Sequence, residues 1–334
     1  MSQRKNDHIQ MAASSVPSVA LADKRFYYEP LIGAFPDKVP PFNFMGKEVR
    51  YPLWISSMTG GSPEANRINH MLAEAAAEFG LGMGLGSCRT LLNDYTFFDD
   101  FNLRPVLGSQ LPFFANLGIA QVEQLLQQNA FDKIARLIDK LQADGLIVHV
   151  NPVQEFLQPE GDFLQKPAFE TIQQLAEQTR GRFKLMVKEV GQGMGPQSLE
   201  KLFQLKIDGI EFGAFGGTNF ANIEIRRNQQ AYAAHLLPLA GFGHTADEMI
   251  GFSNRLKNAT ANKNMQLIVS GGLQDFLDGY YFLEKSQFPA LYGMAGKVLK
   301  HALKSRNDLF AFLKAETEGF KFARTFLKVR ETAV

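Results

Sequence analysis

From Pro52 onward, eight short and nearly unbroken apolar runs alternate with stretches of helical periodicity. The runs are PLWISSM (52–58), GLGMGLG (80–86), PFFANLG (112–118), GLIVHVN (145–151), FKLMVKE (183–189), GIEFGA (209–214), QLIVSGG (266–272) and ALYGMA (290–295). A strand with one wet face alternates apolar and polar residues. A continuous apolar run marks a strand covered on both faces, as in a parallel sheet flanked by helices. Pro63 to Phe79 carries Ile68, Met71, Leu72, Ala75, Ala76 and Phe79 at helical spacing, with Ser62 placed as N-cap and Pro63 at the first helical position. Phe131 to Leu141 repeats the pattern through Ile134, Leu137, Ile138 and Leu141, and further helices are expected near 167–179, 197–206, 245–257, 273–284, 296–304 and 307–328. Eight strands suit a closed barrel better than an open doubly wound sheet. The expected fold class is therefore α/β, a TIM (β/α)8 barrel with an N-terminal extension and C-terminal helices.

The 334 residues are comfortable for one such barrel with insertions, and no linker or low-complexity tract divides them. A single domain over 1–334 is expected, with residues 1–50 as the extension. Segments 88–111 and 216–244 are longer than ordinary connections, and long loops of a barrel tend to sit over its mouth. The formal net charge is +1 and no basic stripe is visible, which argues against nucleic acid as a partner. Cys88 is the only cysteine, so no internal disulfide can form, as suits a reducing compartment. The polar, mixed-charge N-terminus lacks the apolar stretch of a signal peptide, and no run approaches the ~18 apolar residues of a membrane span. A soluble, cytoplasmic protein without membrane partners is expected.

Barrel active sites gather at the carboxyl ends of the strands. There the chain places Ser57-Met58-Thr59-Gly60-Gly61, Gly86-Ser87, Asn116-Leu117-Gly118, then His149, Asn151, Gln154 and Glu155, then Lys188-Glu189. Gly213 with Gly216-Gly217-Thr218-Asn219, Ser270-Gly271-Gly272 and Ala295-Gly296 complete the ring. One Gly or Ser after a strand makes a turn; eight polar ends together make a site. The last two loops suit a phosphate, because glycine admits close backbone approach and a helix start offers free N–H groups. Lys188 closes an otherwise apolar strand. It either snorkels or pairs with Glu189 or Glu211, or it faces a phosphate or the electron-rich end of a reduced cofactor ring. His149 and Asn151 share one side of their strand and can both face the mouth, whereas Pro152 stops the pairing and leaves Gln154 and Glu155 on the loop above. Glu155 is an oxygen ligand suited to Mg²⁺. Gln154 does not ionise usefully, which limits it to orientation unless a strong acid or base stands beside it. Arg4, Lys5, Asp7 and His8 form a second polar cluster in what reads as a solvated, frayed tail.

Together these motifs resemble the type 2, flavin-dependent isopentenyl-diphosphate isomerases. The matching stretches are RKNDH (4–8), SSMTGG (56–61), LGS with Arg89 (85–89), ANLG (115–118), HVNPVQE with PEGD (149–155, 159–162) and VKEVGQGM (187–194). GGTNF with Ile223, Glu224 and Arg226, VSGG (269–272) and AG (295–296) follow in the family's order. The resemblance implies an isomerase that interconverts isopentenyl and dimethylallyl diphosphate by adding and removing a proton. It implies reduced FMN and Mg²⁺ as cofactors and NADPH as a transient reductant, since the chain has no Rossmann fingerprint. FMN contacts would come from Ser57, Met58, Thr59, Ser87, Asn116, Lys188, Gly213, Thr218, Gly272, Ala295 and Gly296. Substrate contacts would come from Arg4, Lys5, His8, Ser87, Arg89 and Gln154, with Gln154, His149 and Asn151 in the catalytic group, Glu155 on the metal and residues 1–50 capping the substrate. A homo-oligomer, tetramer or octamer, is implied as well.

Three departures stand out. Cys88 replaces the family's usual Gln, Gln274 stands where an Arg is typical, and Phe242-Gly243-His244-Thr245 replaces a Trp-Gly-Ile-Pro-Thr run. Two rival readings follow. One is an FMN-dependent 2-hydroxy acid oxidoreductase with His244 and Arg226 or Arg227 as base and carboxylate clamp. The other is a flavin- or prenyl-phosphate-binding paralogue without activity.

Overall fold

The computed structural model describes residues 2–35, 39–57, 60–230, 232–260, 262 and 264–330. Eight parallel strands close a barrel in chain order: β1 (Leu53–Ile55), β2 (Gly82–Gly84), β3 (Phe113–Gly118), β4 (Gly145–Val150), β5 (Lys184–Glu189), β6 (Gly209–Glu211), β7 (Gln266–Ser270) and β8 (Ala290–Met294). Each lies inside a run expected from sequence, trimmed at the polar and glycine residues that turn out over the mouth. Register matters for the site. Gly118 pairs with His149, His149 with Lys188, and Lys188 with Glu211, so one rung crosses β3 to β6.

The barrel interior is filled by Trp54, Phe114, Ile147, Met186, Ile268 and Leu291. Its amino end is closed by an antiparallel ribbon, Phe42–Phe44 with Lys47–Val49, whose Phe44, Met45 and Val49 join that cluster. Gln266 accepts from the Met45 N–H through its side-chain oxygen at 2.9 Å, and Lys47 pairs with Asp144 at 2.5 Å, which pins the ribbon below the strands. The larger cluster lies between strands and helices.

The helices that matter are α1 (Ser2–Ala12), α2 (Pro63–Phe79), α3 (Ile119–Gln127), α4 (Phe131–Leu141), α5 (Pro152–Leu157), α6 (Ala168–Thr179), α7 (Pro196–Phe203), α8 (Phe220–Arg227), α9 (Ala246–Leu256), α10 (Phe276–Lys285), α11 (Gly296–Lys304) and α12 (Arg306–Phe326). Helix α2 spans the expected residues, capped by the Ser62 hydroxyl on the Ala65 N–H at 3.2 Å and ended by Gly80 at φ 68°. Helix α3 was not expected. It leaves β3 at Gly118 with no turn residue, and its polar Gln121 and Glu123 are buried, which breaks the apolar period. Both are satisfied from the β4–α6 connection: Gln165 and Lys166 donate backbone N–H to Glu123 at 3.0 and 3.1 Å, and Gln121 donates to Asp162 at 3.0 Å. Two other expectations are corrected. Pro152 starts a short helix rather than a loop, because its fixed φ suits a first helical position. The N-terminal tail is helical over Ser2–Ala12.

Helix α12 lies against α2, α10 and α11, and its end turns into Leu327–Val329, which pairs antiparallel with Phe26–Tyr28. The N-terminal extension is thereby stitched to the C-terminal helix.

Candidate active site

The end of β4 carries the densest polar network. His149 Nδ1 lies 2.6 Å from Asn116 Oδ1 on β3. With that amide oxygen as acceptor the hydrogen sits on Nδ1, and Nε2 offers a lone pair. Burial, then the adjacent Lys188 ammonium, lower the His149 pKa to about 4, so the ring is neutral at pH 7. Asn151, buried at the start of α5, donates through Nδ2 to Gln154 Oε1 at 3.2 Å and to Glu155 Oε1 at 2.9 Å, while its own Oδ1 has no partner among the described residues. The other Glu155 oxygen accepts from the Asp162 backbone N–H at 2.7 Å. Asp162 in turn pairs with Arg89 at 2.8 Å. HxNxxQE and PEGD are thus one wired unit, with Arg89 brought to it from the β2 loop.

Glu224 was left without a role by the sequence, although it stood in a matching stretch. It is buried on α8. Gln154 donates to its Oε1 at 3.4 Å and Gln158 at 3.1 Å, and Arg227 pairs with its Oε2 at 2.6 Å. Gln154 therefore has a buried carboxylate as a hydrogen-bond partner. No periodicity could reveal this, because the two residues meet only when the loops after β4 and β6 fold over one mouth.

Lys188 is buried, donates to the Glu189 carbonyl at 3.0 Å and stands 3.5 Å from Glu211 Oε1. The ion pair considered from sequence forms, and it does so at the mouth end of the interior. Glu189 folds its own loop: its Oε2 accepts from the Gly191, Gln192 and Gly193 N–H groups at 2.6, 2.6 and 2.9 Å. Burial raises its pKa, against the lowering by those three donors and by Lys188.

Across the mouth, two glycine pairs face each other. A Cβ on Gly216 would stand 3.2 Å from Gly272 Cα, and one on Gly217 would stand 3.1 Å from Gly271 Cα. Gly271 and Gly272 have φ of 93° and 81°, which L side chains rarely adopt. Helix α11 starts beside them at an exposed Gly296 with no side-chain cap, and Thr218 Oγ1 would be 2.8 Å from a Cβ there. Among the described residues, the buried hydroxyls of Ser56 and Ser57 and the amide nitrogen of Gln192 have no partner. A side-chain-free cradle, free helix N–H groups and orphaned buried polar atoms fit a phosphate-bearing planar group such as FMN.

For a metal, Glu155 is the carboxylate at hand, and among the described residues no three His, Cys, Asp or Glu side chains gather around one point. That fits a cation whose shell is completed by substrate oxygens and water, as Mg²⁺ commonly is.

Ser87 and Arg89 are exposed at the β2 loop, Gly213 (φ 52°) lies just past β6, and Ala295 borders the α11 start. Met58 and Thr59 lie outside the described residues. Arg4, Lys5 and His8 are exposed on α1, and no hydrogen bond or ion pair among the described residues joins them to the barrel. The departures resolve differently. The Cys88 thiol is fully buried against the Gly86 carbonyl at 3.4 Å and pushed up to about 12 by burial, so it does not face a ligand as a thiolate. Gln274 bonds the Gly272 carbonyl at 2.9 Å, bracing the glycine cradle without adding charge. His244 meets Phe252 edge-on at 5.5 Å, Arg226 is exposed and Arg227 is committed to Glu224 and Glu160. Among the described residues no hydrogen bond or ion pair joins His244 to either arginine as base and carboxylate clamp.

No family model matches the chain. A Rickettsia typhi protein named isopentenyl-diphosphate delta-isomerase is 30% identical over 306 residues, covering 90% of this chain and 86% of that relative. A Synechocystis sp. protein of the same name is 33% identical over 279 residues, covering 83% and 76%. By structure, the chain is similar to the flavin-binding domain of baker's yeast flavocytochrome b2, with TM-score 0.62, 11% identity and coverage of 90% of this chain and 72% of that one. It is also similar to a mandelate oxidase variant with a monooxide FMN adduct, with TM-score 0.57, 11% identity and coverage of 92% and 89%. At such identities the structural likeness is one of fold alone.

Proposed function

The chain belongs to the isopentenyl-diphosphate delta-isomerase family, and from that membership we propose how its barrel mouth moves a proton across the isopentenyl and dimethylallyl diphosphate pair. The observation that carries the reading is Gln154 held against the buried Glu224 at 3.4 Å. An amide cannot act as an acid at neutral pH, but a carboxyl beside it can take up or release the proton that the amide orients. Asn151 sets the Gln154 side chain from behind through its donor to Oε1.

The cradle of Gly216, Gly217, Gly271 and Gly272 with the α11 start and Thr218 would hold the FMN phosphate. Ser57, Met58, Thr59, Ser87, Asn116, Gly213 and Ala295 would border the ring system, and Lys188 would face its electron-rich edge. When bound, reduced FMN supplies an electron-rich surface beside the alkene and an exchangeable proton. The chain's own work is positional and electrostatic. Arg89 would hold the diphosphate, joined by His149 once its Nε2 takes a proton beside that charge and by Asn151 once Glu155 turns from its Nδ2 to Mg²⁺, and Arg4, Lys5 and His8 would close over it from the extension. Anchoring the diphosphate fixes the alkene beside Gln154 and keeps water from the developing cation.

In this reading residues 1–334 act as one domain, residues 1–50 cap the substrate, and NADPH reduces the flavin without residing in the fold. Action in the cytoplasm belongs to the same proposal; among the described residues no helix is long and apolar enough to cross a membrane. A homo-oligomer, tetramer or octamer, belongs to the same reading, and the exposed Leu31, Ile32 and Phe35 offer apolar surface for an interface.

The deciding experiment is anaerobic turnover of isopentenyl diphosphate in deuterated water with FMN, NADPH and Mg²⁺. Deuterium should appear in dimethylallyl diphosphate. Dye reduction driven by 2-hydroxy acids without that product would overturn the reading in favour of an oxidoreductase.

A further inference from the structure

We propose that Glu211 is a positioning residue for Lys188, fixing where the ammonium points and how much of its charge the barrel mouth presents to a bound flavin. The proposal rests on the reading that Lys188 faces that flavin. Glu211 is wholly buried on β6, directly across the rung from Lys188 on β5, and its Oε1 lies 3.5 Å from Lys188 Nζ. The Ser270 hydroxyl on β7 donates to the same oxygen at 3.3 Å and itself accepts the Gly213 N–H at 3.0 Å. Hydroxyl and cation thus converge on Oε1, while Oε2 is buried without a partner among the described residues.

Buried charges of this kind are costly unless paired, and removing one partner leaves the other uncompensated. The ammonium has three hydrogens. Among the described residues, the Glu189 carbonyl takes one, the Glu211 carboxylate faces the second, and the third is free for a ligand acceptor. Geometry and charge point the same way. Glu211 steers the third N–H outward, and its negative charge offsets part of the field that a bare Lys188 would exert on the site. A site with a partly balanced cation binds reduced FMN less preferentially than one with a lone cation.

The test compares Glu211→Gln, Lys188→Met and the double variant with the parent protein. In the first arm, chemical unfolding of flavin-free protein gives a double-mutant cycle, where a coupling between positions 188 and 211 is expected and strict additivity would overturn the pairing. In the second arm, midpoint potentials of the FMN-loaded proteins are read by spectroscopic titration. Glu211→Gln should raise the preference for reduced over oxidised FMN about tenfold, or ~30 mV for a two-electron couple. Lys188→Met should lower it, and the double variant should return toward the parent. A merely structural role would not move the potential in opposite directions. An unchanged or lowered potential in Glu211→Gln overturns the proposal. Should that variant not fold, Glu211→Asp, with the carboxylate drawn back by one methylene, must move the potential part-way in the same direction or the proposal fails. If the parent protein binds no FMN while the unfolding cycle shows coupling, the flavin reading fails and the ion pair stands.

Discussion

Glu316 on α12 is buried against the barrel, and among the described residues one of its carboxyl oxygens and the buried hydroxyl of Tyr292 on β8 have no partner. Tyr292 stacks on Phe320 of the same helix at 5.9 Å between centroids, so this polar pocket lies in the seam that docks α12. Burial, then the Asp275 carboxylate, raise the Glu316 pKa from 4.5 to about 8, with Lys297 opposing and Asp278 adding. A carboxyl raised in the folded state binds its proton more tightly there than in the unfolded chain. Its contribution is therefore fully present below pH 4.5 and fades as pH rises toward 8. At 1.36 kcal/mol per pKa unit the full loss has an upper bound of ~5 kcal/mol, and relaxation around the new charge reduces this to roughly 2–4 kcal/mol. Glu316→Gln keeps the shape without the titration. For 334 residues the unfolding entropy is ~0.7 kcal/mol/K, so the variant should gain about 3–6 °C over the parent between pH 5 and pH 9. Thermal unfolding of both proteins across that range measures the difference. A parent-to-variant gap that stays constant with pH would show that Glu316 does not titrate in the seam, and would refute the argument.

Other outcomes follow from the site. The His149 ring should titrate near pH 4 by NMR, and because a lowered histidine pKa makes the folded state bind fewer protons, stability should fall from about pH 6.5 toward 4 by ~2–3 kcal/mol; titration near 6.5 would contradict the buried, Asn116-bonded ring. Glu224→Gln, which keeps the size of the side chain but removes its proton traffic, should slow turnover by about 10²–10⁴-fold with flavin binding intact; full activity would remove Glu224 from the proton path. Glu155→Gln should abolish most of the Mg²⁺ response while sparing FMN binding, and an unchanged metal titration would place the cation elsewhere.

The barrel was legible because both-face burial writes itself into composition: each strand is an apolar run, and each ends where polar residues begin. The runs around Ile147, Met186 and Ile268 needed no tertiary knowledge to be read as strands. Helix α3 was not legible, since Gln121 and Glu123 are polar yet buried through bonds to a segment some forty residues away. The site was half legible. Residues at strand ends could be listed from the β-run boundaries, but Asp162, Glu224 and Glu211 act through partners brought from other loops and strands.

What the chain's order of residues determined alone was the sequence of strands, most of the helices between them, the helix cap at Ser62 and the set of polar strand ends, because each depends on periodicity or local backbone preference. What only the folded barrel decided was pairing. Closure placed His149, Lys188 and Glu211 on one rung, brought Glu224 to Gln154 and set Gly216 and Gly217 against Gly271 and Gly272. These contacts depend on strand register and loop crossing, and a linear pattern carries neither.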